Sequence, residues 1–161
     1  NNAGIFDERK FDVVSSADFR RAYEVNLIAA ATLTQAVSQR MAEGGRIVNI
    51  ASRAYLGARN HAHYVASKAA LVGYTRASAM ELAPRGILVN AIAPGLIDTP
   101  ILRALTPERL AAQLALQPTG QAGRPEDVAQ AVAFFSSAQT GFITGQVLFV
   151  DGGKSLGGSG A

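Results

Sequence analysis

The sequence predicts an α/β fold in which a parallel β-sheet is covered by helices on both faces. Short apolar runs alternate with longer segments of helical periodicity along the 161 residues. The apolar runs lie at 47–51, 87–92 and 146–150, and the helical segments at 16–43, 62–84 and 125–135. Strands separated by helices of this length are joined by crossovers, and such crossovers favour parallel sheets.

Residues that start or stop helices mark the ends of these segments. Ser15 and Asp18 stand at the start of the first helical segment, and Gly44-Gly45 follows it. Pro125 occupies the first position of the last helix, where its missing N–H costs nothing. Residues 99–117 show a looser pattern, which predicts one or two short helices joined by turns.

The composition narrows the class of protein. Hydrophobic residues make up 48% of the chain, which supplies a sizeable core. No apolar run reaches the roughly 18 residues that a membrane span requires. The net charge of +3 comes from 15 basic and 12 acidic residues without a basic cluster, so we expect no nucleic-acid partner. The absence of cysteine excludes disulfides and is typical of a cytoplasmic protein.

The segment Tyr64-Val65-Ala66-Ser67-Lys68 carries the clearest chemical signal. On a helix, Tyr64 and Lys68 lie one turn apart on the same face. An ammonium beside a phenol favours the phenolate, so we expect Lys68 to lower the pKa of Tyr64 from its usual value of about 10. Such a phenol can give a proton to a carbonyl oxygen, or take one from an alcohol, near neutral pH. Ser52, at the end of a predicted strand, can hydrogen-bond the same oxygen.

Each candidate residue also has a purely structural interpretation. Tyr-x-x-x-Lys is common on amphipathic helices, and Ser52 could simply begin a turn. Asn26 interrupts an otherwise good helix, either because the backbone satisfies its side chain or because it has a function. His61 and His63 have no obvious third ligand, so we expect no metal site and place both on a loop at the rim of a pocket.

Further landmarks occur along the chain in a fixed order. They are Asn1-Asn2-Ala3-Gly4, Asn26 within a helix, Ser52 at a strand end, Tyr64-x-x-x-Lys68, Pro94-Gly95 with Thr99, and Asp151-Gly152-Gly153. Together they resemble the C-terminal part of a short-chain dehydrogenase/reductase. The resemblance implies a Rossmann-like doubly wound parallel sheet, of which this chain supplies the C-terminal half. We expect one domain over residues 1–153 and a Gly/Ser-rich tail over 154–161.

The N-terminal half of that family, with its Gly-rich turn for the cofactor pyrophosphate, has no counterpart in this sequence. We therefore expect the 161 residues alone to bind a dinucleotide poorly and to associate through an unpaired strand edge at 47–51. The residues that distinguish NAD from NADP normally lie in that half. The expected cofactor is accordingly NAD or NADP.

The resemblance implies hydride transfer between a nicotinamide and a carbonyl or secondary alcohol. In this mechanism Tyr64 is the general acid or base, and Ser52 orients the substrate oxygen. Lys68 supports Tyr64 and binds the nicotinamide ribose, and Asn26 connects the group to water. The implied cofactor contacts are Asn2, Ala3, Gly4, Asn26, Tyr64, Lys68, Pro94, Gly95, Ile97 and Thr99.

The sequence defines the substrate less well. The expected pocket residues are Ser52, Ala54, Leu56, His61, His63 and Leu96, together with Arg53 and the stretch 101–117. This mixture allows a hydrophobic ketone, a hydroxy acid or an acyl thioester, and a 3-oxoacyl-thioester reductase of fatty acid synthesis is one alternative. A non-catalytic assembly module is another. We expect dimers or tetramers through helices 16–43 and 62–84, as in the family.

Overall fold

The computed structural model describes residues 1–156 and confirms the predicted α/β class. Its parallel sheet contains β1 (Arg46–Ile50), β2 (Leu88–Pro94) and β3 (Val147–Val150), in that order. Val48 pairs with Asn90, and Ala93 pairs with Phe149. Residues 157–161, the last part of the expected Gly/Ser-rich tail, lie outside the described residues.

The first helical segment is one long helix with an interruption. It consists of α1 (Ser16–Tyr23), a π-helical turn (Glu24–Ile28) and α2 (Ala29–Ser38). Its expected start is confirmed, because the Ser15 hydroxyl accepts from the Asp18 N–H while the Asp18 carboxylate accepts from the Ser15 N–H.

The expected end of this segment at residue 43 is wrong. The helix stops at Ser38, whose carbonyl oxygen accepts a hydrogen bond of 2.6 Å from the Arg85 guanidinium. A free carbonyl at a helix end is thus satisfied by a side chain 47 residues away in the sequence. No local pattern could have indicated that partner.

The remaining helices follow the predicted order. α3 (Ala62–Leu82) connects β1 to β2, and it continues as a short 3-10 turn that ends at Arg85. The two short helices predicted after β2 are α4 (Pro100–Arg103) and α5 (Pro107–Leu114). α6 (Pro125–Ser136) then leads to β3, with Pro125 at its first position as expected.

Each face of the sheet is covered by one long helix. On one face, Ile47 and Val89 pack against Ala79 of α3. On the other face, Ile92 packs against Ala131 and Phe135 of α6. Successive strand residues point to opposite faces, so apolar side chains of the sheet pack against a helix on each face.

A chain of hydrogen-bonded polar side chains ties Asn1 to β1 and α3. Asn1 Nδ2 donates to Asn49 Oδ1 at 2.7 Å, and Asn49 Nδ2 donates to Thr75 Oγ1 at 2.9 Å. The Asn1 backbone also pairs with β1, since its N–H donates to the Val48 carbonyl and its carbonyl accepts from the Ile50 N–H, both at 2.9 Å. Asn49 has no exposed surface, so its polar atoms depend on these partners.

We expect Asn49→Leu to lower the free energy of unfolding by about 1–3 kcal/mol, because leucine fills the space but removes the partner of buried polar groups. Denaturant-induced unfolding measures this change. Gln139→Leu is the matched control, since Gln139 lies on an exposed turn. Equal stabilities for the two variants would show that the buried bonds make no net contribution.

Candidate active site

The candidate site lies where the chain leaves the carboxyl ends of β1 and β2. Ser52 follows β1 in a turn, and residues 95–99 follow β2. The two strand ends are adjacent, because the Ala51 N–H donates to the Ile92 carbonyl at 2.7 Å. The crevice outside the carboxyl ends of parallel strands is the usual ligand site of an open α/β sheet.

Ser52 and Tyr64 come together at this edge. Ser52 begins a 3-10 turn (Arg53–Leu56), and its Oγ accepts from the Ala54 N–H at 3.1 Å. The Ser52 hydroxyl lies near the Tyr64 phenol. Burial raises the pKa of Tyr64 above its ordinary value of 10, and the nearby Ser52 hydroxyl opposes that rise.

Lys68 lies one helical turn after Tyr64 and is 5% exposed. Its Nζ donates to the Ile50 carbonyl at 2.8 Å and lies 5.9 Å from the centre of the Tyr64 ring. Burial lowers the pKa of Lys68 to about 8. Our expectation that Lys68 lowers the pKa of Tyr64 is therefore corrected: the ammonium is bonded to a strand carbonyl, and burial of the phenol dominates.

Asn26 lies inside the π-helical turn and is 1% exposed. Its Oδ1 accepts from the Ile5 N–H at 2.8 Å, and its Nδ2 donates to the Ile5 carbonyl at 3.2 Å and to Ser67 Oγ at 2.9 Å. The side chain thus joins the first helix to Ser67, the residue before Lys68. The helix is distorted at Asn26, and both the Ile5 backbone and the Ser67 hydroxyl satisfy the side chain.

Gly4 lies between Asn26 and Lys68. A Cβ atom at this position would lie 3.3 Å from Asn26 Oδ1 and 3.5 Å from Lys68 Nζ. The backbone approaches both groups so closely because glycine has no side chain. Asn2 and Ala3 are exposed. Asn2 lies on the α6 side of the sheet, where it borders a cavity of about 370 Å³.

The segment after β2 is held in place by backbone contacts. The Gly95 N–H donates to the Val150 carbonyl at 2.9 Å, and a Cβ atom on Gly95 would lie 2.6 Å from the Asp151 Cβ. Gly123 pairs with the backbone of the residues on either side of Ile97. The Ile97 N–H and the Thr99 hydroxyl form no hydrogen bond with any other residue in the described range 1–156.

The two histidines occupy different environments. His61 is half-buried, and its ring stacks on Phe6 with a centroid distance of 4.5 Å. His63 is 1% exposed, and its Nε2 lies 3.0 Å from Asp7 Oδ1. The expectation that His63 lines the pocket is corrected: α3 already begins at Ala62, which turns the His63 ring inward against Phe19.

The other expected pocket residues remain at the strand ends. Ala54 is held beside Ser52, and Leu96 is half-buried after β2, whereas Leu56 is 53% exposed. Within residues 1–156, no group of three potential metal ligands occurs, and no helix has the length and apolarity that a membrane crossing needs.

Sequence reasoning missed Phe6 and Asp7. The Phe6 ring meets the Tyr64 ring edge-on at a centroid distance of 4.9 Å, and Asp7 contacts His63. Both residues closely follow the Asn-Asn-Ala-Gly landmark, which is the one signal that could have directed attention to them. Tyr64 and His63, the site residues that they contact, lie more than 50 residues away, beyond the reach of any local periodicity.

Comparisons with known proteins find relatives along nearly the whole chain. A family profile described as enoyl-(acyl carrier protein) reductase matches residues 1–155. The chain is 46% identical to the (2S)-[(R)-hydroxy(phenyl)methyl]succinyl-CoA dehydrogenase subunit BbsD of Thauera aromatica, with 97% of this chain and 64% of the relative covered. It is 38% identical to the 3-oxoacyl-[acyl-carrier-protein] reductase FabG of Vibrio cholerae, with 97% and 65% covered. The chain thus spans slightly less than two thirds of these relatives.

Solved structures show the same fold. 4-Hydroxyisoleucine dehydrogenase complexed with NADH superposes with a TM-score of 0.87 at 35% identity, covering 98% of this chain and 68% of that one. ElxO with NADP bound superposes with a TM-score of 0.88 at 31% identity, covering 96% and 65%. Both superpositions include nearly the whole chain, and therefore its strand ends.

The lowered pKa of Lys68 makes stability depend on pH in a defined direction. Between pH 8 and 10.5 the unfolded chain binds this proton more tightly than the folded protein does, so stability rises with pH. From pH 8 to pH 10 we expect Lys68 to contribute a gain of about 2 kcal/mol. Lys68→Met lacks this contribution, whereas the exposed Lys10→Met control retains it. Unfolding curves for Lys68→Met that run parallel to wild type over this range would contradict the expectation.

Proposed function

The chain belongs to the short-chain dehydrogenase/reductase family, and we propose that it acts as an NAD(P)-dependent oxidoreductase that interconverts a carbonyl group and a secondary alcohol. The observation that carries this proposal is the assembly of Ser52, Tyr64 and Lys68 at the carboxyl edge of the sheet. A phenol with a serine hydroxyl and a buried ammonium near it is suited to moving a proton to or from a substrate oxygen.

The donors around this edge fit a nicotinamide nucleotide. Lys68 uses one of its three N–H groups on the Ile50 carbonyl, which leaves two for ribose hydroxyls. The Ile97 N–H and the Thr99 hydroxyl are free within residues 1–156 to bind a carboxamide. When bound, the nicotinamide supplies the hydride donor or acceptor. The choice between NAD and NADP stays open, since one structural neighbour was solved with NADH and another with NADP.

Tyr64 is the proposed acid or base. Burial keeps its pKa high, so the phenol is protonated at neutral pH and can donate to a carbonyl oxygen during reduction. Ser52 would hold that oxygen by a second hydrogen bond. In oxidation the proton would pass from the alcohol to the Tyr64 phenolate, and the Ser52 hydroxyl, which opposes the rise of the Tyr64 pKa, would favour that form.

Asn26 contacts the helix that carries Tyr64 and Lys68. Its bonds to Ile5 and Ser67 set the position of the turn of α3 that carries Lys68. We therefore assign Asn26 a positioning role, and its connection to a water that serves Lys68 stays a prediction.

Association of subunits is also a proposal. Apolar side chains on α2 and α3 face outward, among them Leu33 at 53%, Val37 at 49% and Met80 at 80% exposure. Several exposed apolar groups on adjoining helices are typical of an interaction surface. They support the homo-oligomer that we expect to form through these two helices.

A second, narrower candidate is the interconversion of 3-oxoacyl and 3-hydroxyacyl thioesters. The names of two relatives favour it, since one is a dehydrogenase of a substituted succinyl-CoA and the other a 3-oxoacyl-[acyl-carrier-protein] reductase. Both names describe acyl thioesters.

Acetoacetyl-CoA and ethyl acetoacetate test this second candidate, because they share the ketone and differ in the thioester. Oxidation of NADH and NADPH by the purified protein is followed with each substrate. A thioester reductase should show a kcat/KM for acetoacetyl-CoA at least about tenfold higher. Equal values would support the broader function, and no turnover with any ketone or alcohol would support a non-catalytic assembly module.

Tyr64→Phe tests the general function. Removal of one hydroxyl should reduce turnover by about a hundredfold or more, because the proton donor is lost, while the fold is retained. Tyr74→Phe is the matched control on the same helix, since its hydroxyl bonds only to the Ala31 carbonyl. Turnover of Tyr64→Phe within a few-fold of the control would remove Tyr64 from the mechanism.

A further inference from the structure

Residues 5–9, here called the 5–9 segment, cross the N-terminal end of α3 beside Tyr64. Both ends of this segment are fixed by backbone hydrogen bonds. Asn26 binds the N–H and the carbonyl of Ile5, and the Arg9 N–H donates to the Asn60 carbonyl at 2.8 Å. The segment is therefore held between the π-helical turn and the loop that precedes α3.

Phe6 is the residue of this segment that touches the catalytic tyrosine. Its ring meets Tyr64 edge-on at 4.9 Å and stacks on His61 at 4.5 Å, with an angle of 8° between the stacked planes. Edge-to-face aromatic pairs have a preferred geometry, so the position of Phe6 restricts the orientation of the Tyr64 ring.

The position of Phe6 is set in turn by its neighbour Asp7. The Asp7 carboxylate lies 3.0 Å from His63 Nε2, and it also binds the guanidinium groups of Arg9 at 3.1 Å and Arg21 at 3.2 Å. His63 directly precedes Tyr64 in α3. The Asp7–His63 bond thus joins the residue after Phe6 to the residue before Tyr64.

The protonation of this pair follows from its partners. The hydrogen bond with His63, followed by the charges of Arg9 and Arg21, holds the pKa of Asp7 below its ordinary value. An ionised carboxylate only accepts, so the Nε2 of His63 carries the donated proton. The other ring nitrogen, Nδ1, is buried and has no partner within residues 1–156.

Packing alone does not account for a histidine at this position. A buried nitrogen without a partner costs free energy that an apolar ring of similar size would avoid. The compensating feature is the single bond from Nε2 to Asp7, which an apolar ring could not form. The His63 ring thus makes a single hydrogen bond, from Nε2 to Asp7.

We propose that the Asp7–His63 hydrogen bond is a positioning device for catalysis: it fixes the 5–9 segment on α3, so that Phe6 holds the Tyr64 phenol toward Ser52. His63 and Asp7 touch neither substrate nor cofactor in this arrangement and act through Phe6 and Tyr64. The inference rests on the proposed role of Tyr64 in the oxidoreductase.

Two substitutions of His63 separate this role from simple packing. The amide nitrogen of glutamine reaches the place of the histidine Nε2, whereas that of asparagine reaches only the place of Nδ1. His63→Gln therefore retains the donor to Asp7, and His63→Asn loses it. The two variants differ by one methylene group, so each is a control for the other.

We expect His63→Asn to lower kcat by about tenfold to a hundredfold, because a misplaced phenol transfers its proton poorly. The KM values for cofactor and substrate should change by less than about threefold, since the device acts in the transition state. His63→Gln should restore kcat to within about threefold of wild type. Steady-state kinetics are measured well below the unfolding temperature of each variant, which is determined in parallel.

Equal kcat values for the two variants, or a loss seen only in KM, would overturn the proposal. If His63→Asn does not fold, Asp7→Ala removes the same bond from the more exposed side, and it should reproduce the loss of kcat.

Tyr64→Phe serves as the reference for the underlying function: an active Tyr64→Phe enzyme would refute the proposed function itself. An inactive Tyr64→Phe enzyme with equal His63 variants would refute the positioning device alone.

Discussion

A buried ammonium at the end of a strand is the constraint on which the site depends. Lys68 can remain at 5% exposure because the Ile50 carbonyl, the last of β1, accepts one of its protons. Burying a charge without such a partner would be prohibitive. The parallel sheet and the long crossover helix bring these two groups together. The sheet therefore provides both the scaffold and a hydrogen-bond acceptor for the buried Lys68 ammonium.

The irregular features of the chain surround this cation. The π-helical turn carries Asn26, whose side chain reaches Ser67, and Gly4 lets the backbone approach Lys68 without a clash. π-Helical turns are frequent at functional sites, because one extra residue redirects a side chain. Such departures from regular structure cost stability. In this molecule they lie beside the turn of α3 that carries Lys68.

Local patterns predicted the strands, the helix starts and the group of Ser52, Tyr64 and Lys68, because periodicity and capping depend on near neighbours in the sequence. The wrong predictions arise where the structure depends on residues that are far apart in the sequence. Arg85 binds the Ser38 carbonyl at the early end of the first helix, and Asp7 binds the ring of the buried His63. Each of these contacts joins residues about 50 positions apart. A sequence shows both partners but not the tertiary contact between them.

Burial acts on the pKa values of Tyr64 and Lys68 in opposite directions. It raises the pKa of the Tyr64 phenol and lowers the pKa of the Lys68 ammonium to about 8, because burial disfavours the charged form of each group. The nearby Ser52 hydroxyl opposes the rise at Tyr64, and the Ile50 carbonyl binds the Lys68 ammonium. The spacing of the two residues in the sequence predicts a lowered Tyr64 pKa, because the sequence shows neither the burial of the phenol nor the strand carbonyl that binds Lys68.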